Sequence, residues 1–194
     1  MTIPKVFHFV WKGDALPVRY AEWRDAWLAM HPGWACIEWG VGSAPEAPAN
    51  VCHVRQWSNW VRLKKLLEFG GVYMDFDTQP LKNIEPLLEG CSAAASPFRF
   101  QYANRPNRCC NSFLAAEPSH PWISECCQML ELVDPAEHLS MGSSLITQAL
   151  QGRDDVKILN VNDIWQMPHW NLLGRKPDSR WYAIHHFDNM ARKP

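Results

Sequence analysis

The sequence predicts an α/β domain, with a mostly parallel central sheet flanked by helices. Three observations point there. Short β-rich apolar runs alternate with longer stretches of helical periodicity. Breaker clusters such as His31-Pro32-Gly33 and Gly70-Gly71 separate them. The chain has 194 residues, 47% hydrophobic and 20% charged, which suits a single core in a single domain spanning 1–194.

The elements follow in order. Val6 to Trp11 is a β-rich run bounded by Pro4 and Gly13, and reads as a buried first strand. Pro17 opens a helix whose Tyr20, Trp23, Trp27 and Met30 recur at helical spacing as a core stripe. Trp34 to Trp39 is a second strand, and Gly40 to Asn50 a loop. A helix is expected from Ser58, as its cap, to Phe69, with Gly70-Gly71 as its stop. Val72 to Asp75 is a third strand, Thr78 to Leu81 is extended, and Ile84 to Glu89 is a short helix. Cys91 to Pro97 and Cys110 to Ala116 read as strands around a polar irregular segment holding Arg99, Arg105 and Arg108. Pro121 to Val133 and Ser143 to Gln151 read as helices, and Val156 to Val161 and Trp181 to Phe187 as late strands.

Composition excludes several classes. Lys plus Arg total 19 against 20 Asp plus Glu, a net charge of −1, so no broad basic field exists to hold duplex nucleic acid. No apolar run approaches the ~20 residues of a membrane span. The opening run is too short for a signal-peptide core, so a cytoplasmic location is expected. The 7 cysteines show no C-x-x-C spacing and read as reduced, mostly buried thiols. The 11 tryptophans are mostly core, with one or two free to stack on a sugar or nucleobase.

The chemistry concentrates in Gly70-Gly71-Val72-Tyr73-Met74-Asp75-Phe76-Asp77. In extended chain, residues two apart share a face, so Asp75 and Asp77 converge at the end of an apolar strand. Paired carboxylates in an apolar site repel unless a cation or hydrogen-bond donors compensate. A hard divalent ion, Mn²⁺ or Mg²⁺, answers that need, particularly beside phosphate. On the preceding helix, Trp60, Leu63, Leu66 and Leu67 share one face, and Lys64, Lys65 and Glu68 the other. Asn59 lies within the apolar face and Arg62 borders it. Both want a polar partner, either inside the protein or on a ligand.

These residues carry a resemblance. Ile3 to Gly13, then Ser58-Asn59-Trp60-Val61-Arg62, then the Gly-Gly-Val-Tyr-Met-Asp-Phe-Asp segment resemble the glycosyltransferases with a DXD sugar-binding region. That group includes capsular polysaccharide and mannosyl transferases and is related to the large glucosylating toxins. Asn111-Ser112-Phe113 with His120-Pro121, and Ile184-His185-His186-Phe187, are similar to its later motifs. The resemblance implies a minimal GT-A-like nucleotide-binding domain. It implies transfer of a sugar from a UDP- or GDP-sugar, with retention, assisted by Mn²⁺ or Mg²⁺. Catalytic roles fall to Asp75, Asp77 and Arg62. Donor binding falls to Trp11, which stacks on the nucleobase, with Val10, Asn59, Arg62, Asp75 and Asn111. Metal ligation falls to Asp77, Asp75 and His186, with His185 as the alternate because adjacent strand residues face opposite ways. One departure stands out: the related pattern S-D-x-x-R has aspartate where this chain has Asn59. A degenerate module that binds a nucleotide sugar or glycan, and a metal-dependent phosphohydrolase, are the competing readings. The acceptor stays open among a glycan, a lipid, a protein and a modified nucleobase.

Overall fold

The computed structural model of the chain describes residues 2–49, 51, 53–98, 109–134, 141–166 and 177–188. Strands β1 (Val6–Val10), β2 (Ala35–Trp39), β3 (Gly71–Met74), β5 (Ala93–Pro97), β6 (Cys109–Ala116) and β7 (Lys157–Ile158) form one sheet, in the order β2-β1-β3-β6-β5-β7. Its β1–β2, β1–β3 and β5–β7 pairs are parallel, and β6 runs antiparallel to both neighbours. The remaining strands, β4 (Thr78–Pro80), β8 (Ile164–Gln166) and β9 (Ala183–His185), make a second small sheet in the order β4-β9-β8.

The sheet is a layer between two cores because its side chains alternate. Phe7, Phe9, Val72, Met74, Phe113 and Ala115 face one way, into a core with Trp27 of the first long helix and Trp34 just before β2. Val10, Tyr73, Leu114 and Ala116 face the other way, into a core with Trp60, Leu63, Leu66, Trp122 and Leu145. The first layer holds α1 (Val18–Met30) and α3 (Glu85–Leu88); the second holds α2 (Val54–Phe69), α4 (Pro121–Leu132) and α5 (Ser143–Ala149). Most of the described tryptophans are buried core residues, while Trp11 and Trp23 are half-buried.

Two buried histidines are structural. His8 donates through Nε2 to the Gly70 carbonyl at 2.8 Å and accepts through Nδ1 from Trp39 Nε1 at 3.0 Å. Burial pushes its pKa down, so the ring is neutral with both nitrogens engaged. His31 links the end of α1 to the Ile84 amide, accepting at 2.8 Å. Between α2 and β3, Gly71 has φ +93°, and a Cβ there would stand 2.5 Å from Val6 Cγ1 and 2.7 Å from the Val6 carbonyl. Only glycine lets β3 enter the sheet this closely against β1.

The structure departs from the sequence reading in several places. The second long helix starts at Val54, a turn before Ser58, because His53 and Gln56 form a reciprocal capping box. Ser58 is thereby an interior residue. Lys65, assigned to the solvent face, is buried: its ammonium lies 4.4 Å from the Trp39 ring centroid and bonds Glu68 at 2.8 Å. Met30 leaves the α1 stripe and is exposed, while Trp27 is fully buried. The strand expected over Val156–Val161 shortens to β7, and β8 had no sequence signal of its own. Arg99, Arg105 and Arg108 lie outside the described residues.

Candidate active site

The DXD segment is a turn rather than an extended strand. The Asp75 amide donates to the Ser112 carbonyl at 3.0 Å, prolonging the β3–β6 ladder, and the Thr78 amide donates to the Asp75 carbonyl at 3.1 Å. Phe76, between the two aspartates, is buried 4.7 Å from Phe9, 6.0 Å from Trp11 and 6.4 Å from Tyr20, ring to ring. With Phe76 anchored there, the flanking carboxylates meet at His185. The convergence expected from strand parity therefore arises from a turn with an aromatic plug.

After the turn the chain enters β4, which pairs antiparallel with β9 so that Thr78 opposes His185. This register delivers His185 to the aspartates. Its Nε2 lies 3.2 Å from Asp77 Oδ1 and 3.7 Å from Asp75 Oδ2. One ligand atom from each of Asp75, Asp77 and His185 lies within 4.8 Å of the others. His186, the residue favoured from sequence, faces away: it stacks on Trp23 at 4.7 Å and meets Gln79 Oε1 at 3.1 Å. Strand parity separates the two histidines as anticipated, and the β4–β9 register selects His185.

Burial alone would raise the Asp77 pKa, but the charge and hydrogen bond of His185 and the Asp188 amide, donating at 2.9 Å, hold it below the usual carboxylate range. Burial would lower His185, yet Asp77 pulls its pKa well above the ordinary imidazole value. In the metal-free protein an imidazolium thus compensates the carboxylates. Two carboxylates and an imidazole could hold a divalent cation, which would take over the compensating role of the proton.

A second group surrounds Asp75. Arg62 is buried; its Nη1 lies 3.3 Å from Asp75 Oδ1 and also donates to the Asn111 carbonyl. Its Nε and Nη2 donate to Ser58, at 3.3 Å to the carbonyl and 3.0 Å to Oγ, and its guanidinium lies 4.3 Å from the Tyr73 ring centroid. Tyr73 donates its hydroxyl to Asp75 Oδ1 at 2.5 Å. Asn59 accepts from Asn111 Nδ2 at 2.8 Å, and Asn111 Oδ1 accepts from Ser143 Oγ at 3.1 Å. Arg62, Asp75, Asn59 and Asn111 are therefore brought together. Val10 is buried in the core. Trp11 packs edge-on against Tyr20 at 5.9 Å, and its buried Nε1 has no hydrogen-bond partner among the described residues.

Sequence reasoning missed Tyr73, Ser143 and Asp188. Tyr73 was legible, being two residues before Asp75 on the same strand face. Asp188 joins the Asp77 carboxylate through its amide, and its own carboxylate accepts from Tyr20 at 2.7 Å and pairs with Arg19. No local pattern marks that contact, which spans most of the chain.

The model of the glycosyltransferase sugar-binding region containing a DXD motif matches residues 17–93, ending beyond the Asp75–Asp77 turn. That stretch is similar to a glycosyltransferase DXD region. Among curated proteins it is 27% identical over 139 residues to inositol phosphoceramide mannosyltransferase 1 of Schizosaccharomyces pombe, covering 62% of this chain and 40% of that protein. It is 27% identical over 143 residues to mannosyl phosphorylinositol ceramide synthase SUR1 of Saccharomyces cerevisiae, covering 68% and 36%. The chain thus spans about two fifths of the length of these relatives. Among solved structures, PaToxG glycosyltransferase aligns with TM-score 0.60 at 14% identity, over 77% of this chain and 69% of that one. The galactosyltransferase LgtC, in complex with donor and acceptor sugar analogues, aligns with TM-score 0.56 at 13% identity, over 94% and 87%. At these identities the likeness is one of fold, and the fold is the GT-A type with its mostly parallel sheet. No helix among the described residues is long and apolar enough to cross a membrane.

Proposed function

We propose that this chain transfers a sugar from a nucleotide-sugar donor, a UDP- or GDP-sugar, to an acceptor hydroxyl, with retention of anomeric configuration. The observation that carries the reading is the cluster of Asp75, Asp77 and His185 beside the Arg62–Asn59–Asn111 group, inside a DXD region. Asp75, Asp77 and His185 would hold Mn²⁺ or Mg²⁺, which when bound would supply charge neutralisation for the departing nucleoside diphosphate. Arg62 orients Asp75 and adds positive charge next to it. Tyr73 fixes the same carboxylate from the strand. Trp11, packed against Tyr20 and Phe76, serves as the nucleobase platform. In retention, the acceptor hydroxyl passes its proton to the leaving phosphate oxygen, so no side chain need act as base.

The relatives named for inositol phosphoceramide make a lipid-borne polyol the first acceptor to try. Asn59 supports a second reading, a module that holds a nucleotide sugar without turning it over. The test is a panel of UDP- and GDP-sugars incubated with Mn²⁺, with the nucleotide product identified. Release of one nucleoside diphosphate, stimulated by acceptor, is the expected result. Metal-dependent binding without release, acceptors included, would favour the module, and release of nucleoside monophosphate would favour a phosphohydrolase. An NMR assignment showing inversion at the anomeric carbon would overturn retention.

A further inference from the structure

Ser143 Oγ donates to Asn111 Oδ1 at 3.1 Å, and Asn111 Nδ2 donates to Asn59 Oδ1 at 2.8 Å. The chain of bonds runs from α5 through β6 to α2 and engages the Asn59 oxygen on its inner side. Its Nδ2 makes no hydrogen bond among the described residues, and Asn59 is only half-buried. The neighbouring cation cannot take part, since Arg62 is engaged by Ser58, Asn111 and Asp75. The group therefore offers an incoming ligand two N–H donors from a neutral amide. An ionised aspartate at the same place would offer only acceptors and a negative charge.

From this, we infer that Asn59 is a specificity residue selecting a sugar that presents an acceptor-only oxygen: a carboxylate, as in a hexuronate, or an acyl carbonyl, as in an N-acetylhexosamine. A plain hydroxyl can accept from Asn59, but must also find an acceptor for its own hydrogen. A carbonyl or carboxylate oxygen carries no such requirement and fully satisfies the amide. Ser143 is a positioning residue, because its hydroxyl fixes the Asn111 amide and through it the Asn59 amide. The inference rests on the donor-site reading above.

The experiment is calorimetric binding in Mn²⁺. UDP and GDP alone are titrated first. The hexose, N-acetylhexosamine and hexuronate conjugates of the nucleotide that binds then follow. Nucleoside diphosphate binding tests the donor site without a sugar; if neither binds, that reading falls and the inference with it. In the unmodified protein, the hexuronate or N-acetylhexosamine conjugate is expected to bind about tenfold tighter than the hexose conjugate. Asn59→Asp, nearly isosteric, should keep the affinity for the bare diphosphate and abolish or reverse that order, most strongly for the hexuronate. Ser143→Ala should keep both bare-diphosphate and Mn²⁺ affinity while reducing the preference severalfold. A hexose conjugate that binds as tightly as the others, or one rank order in all three proteins, would overturn the inference.

Discussion

Replacing Asp77 with asparagine isolates the charge at the centre of the site. Asp77 is buried, with Oδ1 3.2 Å from His185 Nε2 and Oδ2 accepting the Asp188 amide at 2.9 Å. Removing one partner of a buried ion pair costs about 3–5 kcal/mol. The low end, about 3 kcal/mol, applies because His185 can discharge by losing its proton. For a chain of this size that is a fall in Tm of about 6–12 °C.

The pH dependence follows from the two shifts. The depressed Asp77 pKa contributes stability above its unfolded value of about 3.9, lost as pH falls through the folded value. The raised His185 pKa contributes stability in full below about 6.5, lost as pH rises through the folded value. The gap between the native protein and Asp77→Asn in chelator should thus be widest between about pH 4 and 6.5 and narrow on either side. On the alkaline side, a neutral His185 Nε2 can accept from the new amide. Mn²⁺ at a hundred times its Kd should then raise the native melting temperature by about 5–11 °C, equivalent to about 2.7 kcal/mol, and leave the variant unmoved. Thermal melts followed by circular dichroism, with and without metal across this pH range, supply the measurement. A pH-independent gap would refute the ion-pair argument, and an equal Mn²⁺ shift in both proteins would refute the metal assignment.

The histidine assignment separates in Mn²⁺ titrations: His185→Ala should lose at least tenfold in affinity, and His186→Ala, whose ring lies on Trp23, should match the native protein. Arg62→Lys should destabilise by about 3 kcal/mol in urea melts, since an ammonium cannot reproduce the bonds to Ser58, Asn111 and Asp75; a loss under about 1 kcal/mol would show that those contacts are weak. Gly71→Ala should cost more than about 3 kcal/mol through its clash with Val6, whereas Gly152→Ala, also at positive φ but in open space, should cost about 1–2 kcal/mol; equal losses would dismiss the close-packing argument. Trp11→Ala should weaken nucleoside diphosphate binding by about 1–3 kcal/mol in calorimetry, and unchanged affinity would return Trp11 to the core.

The sequence by itself determined the alternation of strands and helices, because hydrophobic period and Gly/Pro punctuation are local signals. The runs Val6 to Trp11, Pro121 to Val133 and the Gly70-Gly71 stop all reappear within a residue or two. It also singled out Asp75, Asp77, Arg62 and Asn59, since their spacing on one turn and one helix is short-range. The tertiary structure decided what spacing cannot carry. Which histidine reaches the aspartates depends on the β4–β9 register, set by a pairing about a hundred residues apart in sequence. The burial of Lys65 depends on where Trp39 stands across the sheet, and the polarity of Asn59 depends on Ser143 at the start of another helix. Each is a contact between segments that no periodicity links, so only the folded chain brings its two halves into one environment.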